Sequence, residues 1–185
     1  APPLFAAPVP PVCVTLATDR AAREALPAAP PLVGVKLRLG VRPPHQVCLD
    51  IGPRLVEAGA AWLTLHPRFA AQGYSGRSDW SAIAALVAAV PVPVMASGDL
   101  WTAQDAAACL ARTGAAGVMF ARGALADPRV FDRLKALIAG RPLPPTTGAD
   151  MARLIRRHAE LARETDPSAR GLLKMRTAVP RYLKG

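Results

Sequence analysis

Four times along this chain a short apolar run gives way to a polar turn and then to a helix-like stretch. In the first run, Val33, Val35, Leu37 and Leu39 fall on one side, and Gly34, Lys36 and Arg38 on the other. Alternation of that kind predicts a strand. Residues 45–58 then predict a helix that stops at Gly59. The second strand, Ala61 to Leu65, runs into the loop His66-Pro67-Arg68 through Tyr74 to Trp80. Ser78 is the expected N-cap of the following helix, WSAIAALVAA. The third strand, Val92 to Ala96, enters Ser97-Gly98-Asp99, after which Thr102 opens a helix with Asp105 at the capping-box position. The fourth, Ala116 to Phe120, leads to Ala121-Arg122-Gly123 and to a helix opened by Asp127-Pro128.

Strand starts at 33, 61, 92 and 116 are spaced as successive βα units. Short apolar strands of this kind are parallel and buried. The fold class expected is α/β, a partial or shortened TIM-type (β/α) barrel with a small C-terminal helical appendage. The barrel-like domain spans 1–139, a linker (GRPLPPTTG) spans 140–148, and 149–185 forms a partial helical domain. Its two helical segments, 149–164 and 168–183, carry Arg153, Arg156, Arg157, Arg163, Arg170, Arg176 and Arg181. Residues 1–31 are poorly defined: VCVTLA reads as a strand and DRAAREAL as a short helix, with prolines at both ends.

Charge sharpens the picture. The net charge of +10, from 23 basic against 13 acidic residues, favours an anionic partner, nucleic acid first. A GC-rich genome would raise Arg, Ala, Gly and Pro together and produce the same balance without such a partner. Cys13, Cys48 and Cys109 make neither a disulfide framework nor a zinc site, and Cys48 and Cys109 read as core. No run of apolar residues is long enough for a membrane span, and the proline-rich start lacks the basic region of a signal peptide. A reduced, cytoplasmic setting is expected.

The polar residues gather after the strands: Lys36 and Arg38 on the first, His66 and Arg68 after the second, Gly98 and Asp99 after the third, Arg122 and Gly123 after the fourth. In a parallel barrel these positions converge on the C-terminal face. Two of the turns contain glycine and precede helix N-termini, which suits a phosphate, with Arg122 adding a cation. A phosphate-bearing cofactor is the expectation from the residues alone. Each element also has an ordinary explanation. His66 can cap a turn, Arg68 and Arg122 can be surface residues, Asp99 can be structural, and Tyr74 and Trp80 can be packing. Lys36 is the exception, because a lysine buried in a strand needs a partner.

Two strings carry a closer likeness. Val35 to Gly40 (VKLRLG) and residues 61–80 (AWLTLHPRFAAQGYSGRSDW) resemble the tRNA-dihydrouridine synthases, and the resemblance runs from about Val33 to Phe131 and more loosely to the end. It implies FMN as cofactor and NADPH as reductant, with hydride delivered to a uridine flipped out of tRNA. It implies that Lys36 and His66 contact the flavin, and that Ser97-Gly98-Asp99 and Ala121-Arg122 hold its phosphate. Arg38, Arg68, Tyr74 and the basic C-terminal helices would face RNA.

This sequence departs from the family in three ways. Ser97 stands where the family has Asn, losing the amide's paired donor and acceptor. Ala121 stands where it has Gly, restricting positive φ. The family's Asn-x-Gly-Cys-Pro segment, with its general-acid Cys, has no counterpart, so no catalytic residue is assigned and a shortened member is implied. Pro8, in LFAAPV, is a remnant flavin contact on this resemblance. The alternative is a catalytically inactive FMN- or RNA-binding remnant. A flavin oxidoreductase acting on a small molecule is a third reading, disfavoured by the Tyr74 loop and the tail. Four strands rather than eight leave open edges, so a homo-oligomer, a partner chain completing the barrel, or a degenerate paralogue with a rearranged sheet is expected.

Overall fold

The computed structural model describes residues 32–142 and 145–183. Cys13, Pro8 and the strand and helix expected before residue 32 lie outside the described residues. By packing, the chain divides into two units, one of residues up to Asp99 with Ala108–Met119, the other of Leu100–Ala107 with the residues from Phe120 onward.

The first unit holds one parallel sheet of four strands in the order β1-β2-β3-β4: β1 Gly34–Arg38, β2 Trp62–His66, β3 Val94–Ser97 and β4 Gly117–Met119. Helices α1 (Val47–Glu57) and α2 (Trp80–Ala89) follow the first two strands, and α3 (Ala103–Thr113) connects the last two. The fold is therefore α/β, a partial TIM-type (β/α) barrel. Each strand is where the alternation predicts it, shifted by one or two residues.

Register explains how the sheet sorts its side chains. Lys36 pairs with Thr64, Thr64 with Met95, and Met95 with Gly117, while Arg38 pairs with His66. These residues share one face, because side chains alternate along a strand. The other face carries Leu63, Leu65, Val94 and Ala96, none more than 2% exposed. Against it lie Ile83 and Leu86 of α2, both fully buried, and Cys48 of α1. Gly52 lets α1 approach closely: a Cβ there would come within 2.6 Å of Leu86 Cδ1 and 3.5 Å of Leu63 Cδ1. Burying each such leucine stabilises the unit by about 1.5–3 kcal/mol.

Cys48 and Cys109 are core residues, as expected, 1% and 0% exposed. Burial pushes both thiols up, Cys109 to about 11.

The second unit is helical at its C-terminal end. It holds α4 (Arg122–Ala126), α5 (Val130–Ile138), α6 (Gly148–Thr165), α7 (Ala169–Leu173) and α8 (Met175–Tyr182). The short α4 has no counterpart in the sequence reading, and the segment expected over 168–183 is split at Lys174 into α7 and α8. Asp127 is not the cap of α5: the N-cap is Arg129, without a side-chain cap bond, and Asp127 Oδ1 accepts from Arg129 N–H at 3.0 Å just before the helix. Thr147 and Asp150 form a reciprocal capping box at the start of α6. Among the described residues, no helix is long and apolar enough to cross a membrane, and no three metal-ligating side chains cluster.

Candidate functional site

The polar face of the sheet in the first unit is its most distinctive surface. Lys36, Arg38 and His66 lie there together, with Arg38 directly beside His66 in the register. Continuing the β2–β3 register by one residue sets His66 beside Ser97, which is buried. Arg38 is tied down, Nη1 donating to Phe69 O at 3.2 Å. Lys36 corrects one expectation. It is exposed rather than buried, and it makes no hydrogen bond or ion pair with another described residue. Partial desolvation of its ammonium, with the Arg38 charge next to it, lowers its pKa from the ordinary value.

His66 is half-buried, and its pKa is lowered to about 4. Burial is the main cause, reinforced by the charges of Arg38, Lys36 and Arg68 and opposed by Asp99. The imidazole is therefore neutral at physiological pH and can serve as an uncharged hydrogen-bonding group. Its ring packs over the turn after β3, because a Cβ on Gly98 would lie 2.8 Å from His66 Cδ2 and 2.5 Å from Ser78 Oγ. Gly98 has φ 102° and Asp99 has φ 54°, so two successive residues are left-handed. Only glycine fits at 98, by both backbone and space.

Arg68 corrects a second expectation. It is 1% exposed and so does not face an external phosphate in this structure. Each of its three nitrogens donates inside the protein. Nε donates to Ser78 Oγ at 3.1 Å, Nη1 to Ser75 O, and Nη2 to Gly76 O at 2.9 Å. Nη2 also reaches both Asp99 carboxylate oxygens, at 2.8 and 2.7 Å. Asp99 accepts a further bond from Ser78 N–H at 2.7 Å. Burial raises the Asp99 pKa, but the Ser78 N–H and the Arg68 guanidinium outweigh it and hold the carboxyl below its usual range.

Ser78 is thus a partner of Arg68 and Asp99 rather than the helix cap. The cap of α2 is Asp79, whose Oδ1 accepts from Ser81 N–H at 3.0 Å. Trp80, the first residue of α2, donates from Nε1 to Gly98 O at 3.1 Å. These roles of Ser78 and Trp80 were missed by sequence reasoning. The expected cap, Ser78, is one residue too early, because Asp79 is an equally good cap residue by type.

The loop between Arg68 and Ser78 is stapled from within. Gln72 accepts from Phe69 N–H at 3.3 Å and donates to Ser75 O at 2.9 Å. Tyr74 sits at its tip, 67% exposed.

The remaining candidates, Ala121 and Arg122, belong to the second unit. The Arg122 guanidinium lies 4.4 Å from the centre of the Trp101 ring. Gly123 is buried, and a Cβ there would lie 2.9 Å from Trp101 O, so this turn packs backbone against backbone. Ala121 has φ −126° and ψ −94°, so the positive φ that would favour glycine is absent there.

The fold is thus an α/β partial barrel with Lys36, Arg38 and a half-buried His66 on one sheet face. Residues 19–185 match the sequence model of the dihydrouridine synthases, and the chain belongs to that family. It is 42% identical over 156 residues to a probable tRNA-dihydrouridine synthase of Mycobacterium leprae, an alignment covering 83% of this chain and 40% of the relative. A probable tRNA-dihydrouridine synthase of Treponema pallidum is 37% identical over 157 residues, covering 83% and 46%. A tRNA-dihydrouridine(16) synthase of Cupriavidus necator is 43% identical over 110 residues, covering 60% and 34%. The chain thus spans less than half the length of these relatives.

Proposed function

We propose that this chain holds FMN at the strand ends and takes part in reducing uridine to dihydrouridine in tRNA, with NADPH as reductant. The observation that carries the reading is the neutral His66 packed over the Gly98 turn, on the face that also bears Lys36 and Arg38. The residues fit the group. Lys36 supplies a cation of lowered pKa, His66 an uncharged ring donor or acceptor, and the Ser97-Gly98-Asp99 turn a close backbone approach. By the resemblance alone, Ala121 and Arg122 of the second unit would carry a phosphate turn. Bound FMN would supply the hydride chemistry, while these side chains bind and orient it.

Arg38, Tyr74 and the exposed arginines of α6 and α8 are the proposed RNA contacts, Tyr74 as a stacking surface for a base. The proposed partner is tRNA.

A second reading, FMN or RNA binding without turnover, is favoured by one observation. Cys48 and Cys109 are buried, so neither described thiol can deliver a proton to a substrate ring.

The test is to mix the purified chain with FMN and pass it over a desalting column. Flavin absorbance that stays with the protein supports the cofactor site. No retained flavin, even after loading at high FMN, overturns it. Turnover of a uridine-containing tRNA by the loaded protein then separates the two readings.

A further inference from the structure

One buried guanidinium joins four pieces of chain. From its place after β2, Arg68 reaches the loop carbonyls of Ser75 and Gly76, the Ser78 hydroxyl and the Asp99 carboxylate. Asp99 in turn holds Ser78 N–H. All three guanidinium nitrogens donate to acceptors of the protein in that arrangement, and the side chain is 1% exposed. An arginine desolvated this fully is retained for what it holds in place, since a charge buried without partners is strongly destabilising.

What it holds is the turn that the cofactor reading depends on. Gly98 and Asp99 are both left-handed, a geometry that persists only when its surroundings over-determine it. Three ties supply that determination: Asp99 to Arg68, Asp99 to Ser78 N–H, and Trp80 Nε1–H to Gly98 O at 3.1 Å. His66 rests on this turn, within van der Waals range of where a Gly98 Cβ would stand. The loop carrying Tyr74 hangs from the other end of the same guanidinium.

We infer that Arg68 and Asp99 are positioning residues: together they set the Gly98 turn beneath His66 and anchor the Tyr74 loop, so that the cofactor surface and the RNA-facing loop are ordered by one ion pair. The cofactor half of this inference rests on the FMN reading; the loop half does not.

The experiment uses the wild-type chain, Arg68→Lys, Asp99→Asn, and the double variant Arg68→Gln with Asp99→Asn. FMN affinity is read by quenching of flavin fluorescence. Amide hydrogen exchange over residues 70–77 is read without FMN. Thermal melting establishes that each variant folds. Lysine keeps the charge but cannot span the oxygens that the guanidinium fork reaches, so it is expected not to rescue. FMN affinity should fall about ten- to a hundredfold, as when the supports of a ligand-binding side chain are removed. Exchange over 70–77 should rise by about tenfold or more. The double variant leaves no unpaired charge and should melt higher than Asp99→Asn without regaining FMN affinity.

Folded variants with wild-type exchange over 70–77 would overturn the inference. So would a double variant that regains FMN affinity along with its melting temperature, since the pair would then be merely structural. If wild type itself binds no FMN, the flavin reading falls, and exchange over 70–77 in the variants still decides the loop half. Ser78→Ala keeps the ion pair and removes one acceptor, so it should fold in any case and move both readouts the same way by less.

Discussion

At the scale of single residues, the site is a matter of proton and backbone energetics. His66 titrates at about 4 in the folded chain against an ordinary 6.5. Below pH 6.5 the unfolded chain takes up this proton first, so stability falls as pH drops from 6.5 towards 4. Solvent screening at a half-buried ring limits the loss to about 2 kcal/mol. His66→Gln should flatten that part of the stability–pH profile in denaturant melts, and an imidazole NMR titration should find the depressed midpoint directly. Gly98→Ala should cost about 2 kcal/mol or more, because φ is positive and the new methyl meets Ser78 and His66. Ala121→Gly, by contrast, should leave FMN affinity unimproved, since φ there is already negative. Lys36, His66, Gly98 and Asp99 were all legible as polar residues at strand ends. The burial of Arg68 was not, because its partners lie up to 31 residues away and a lone Arg in a loop reads as surface.

At the scale of elements, capping chemistry separated true helix starts from look-alikes. Thr102 and Asp105 form the reciprocal pair expected of them, with Oγ1 accepting from Asp105 N–H at 3.0 Å and Oδ2 from Thr102 N–H at 2.9 Å. Ser78 was the expected cap, and the structure gives the cap to Asp79 because Ser78 is held by Asp99 and Arg68. Two substitutions should therefore act differently. Asp79→Ala should lower stability by about 1 kcal/mol and raise hydrogen exchange at the start of α2. Ser78→Ala should leave the start of α2 protected and cost about 1–3 kcal/mol through the unsatisfied Arg68 Nε–H. The strands were legible because a buried parallel strand has a short, apolar signature that needs no partner to be recognised. The splitting of the last helical segment was not, since Lys174 has ordinary helical φ and ψ, and only hydrogen bonding divides α7 from α8.

At the scale of the whole molecule, charge and topology set the possibilities. The net charge of +10 is concentrated in arginine, and α6 and α8 expose Arg156, Arg163, Arg176 and Arg181. Arg157 is partly neutralised by Glu160 at 3.2 Å and Glu164 at 3.4 Å. If Arg156 and Arg163 contact phosphate, replacing each with Gln should reduce the slope of log affinity against log salt by about one. Fluorescence anisotropy with labelled tRNA over a salt series measures it, and an unchanged slope would remove those residues from the interface. The βα spacing, the apolar strands, the polar strand ends and the turn glycines can all be read along the chain, because each depends on residues a few positions apart. Strand register, the neutral state of His66 and the burial of Arg68 against Asp99 cannot. They depend on which groups packing brings together and removes from water, and electrostatics and hydrogen bonding take their strength from that desolvation.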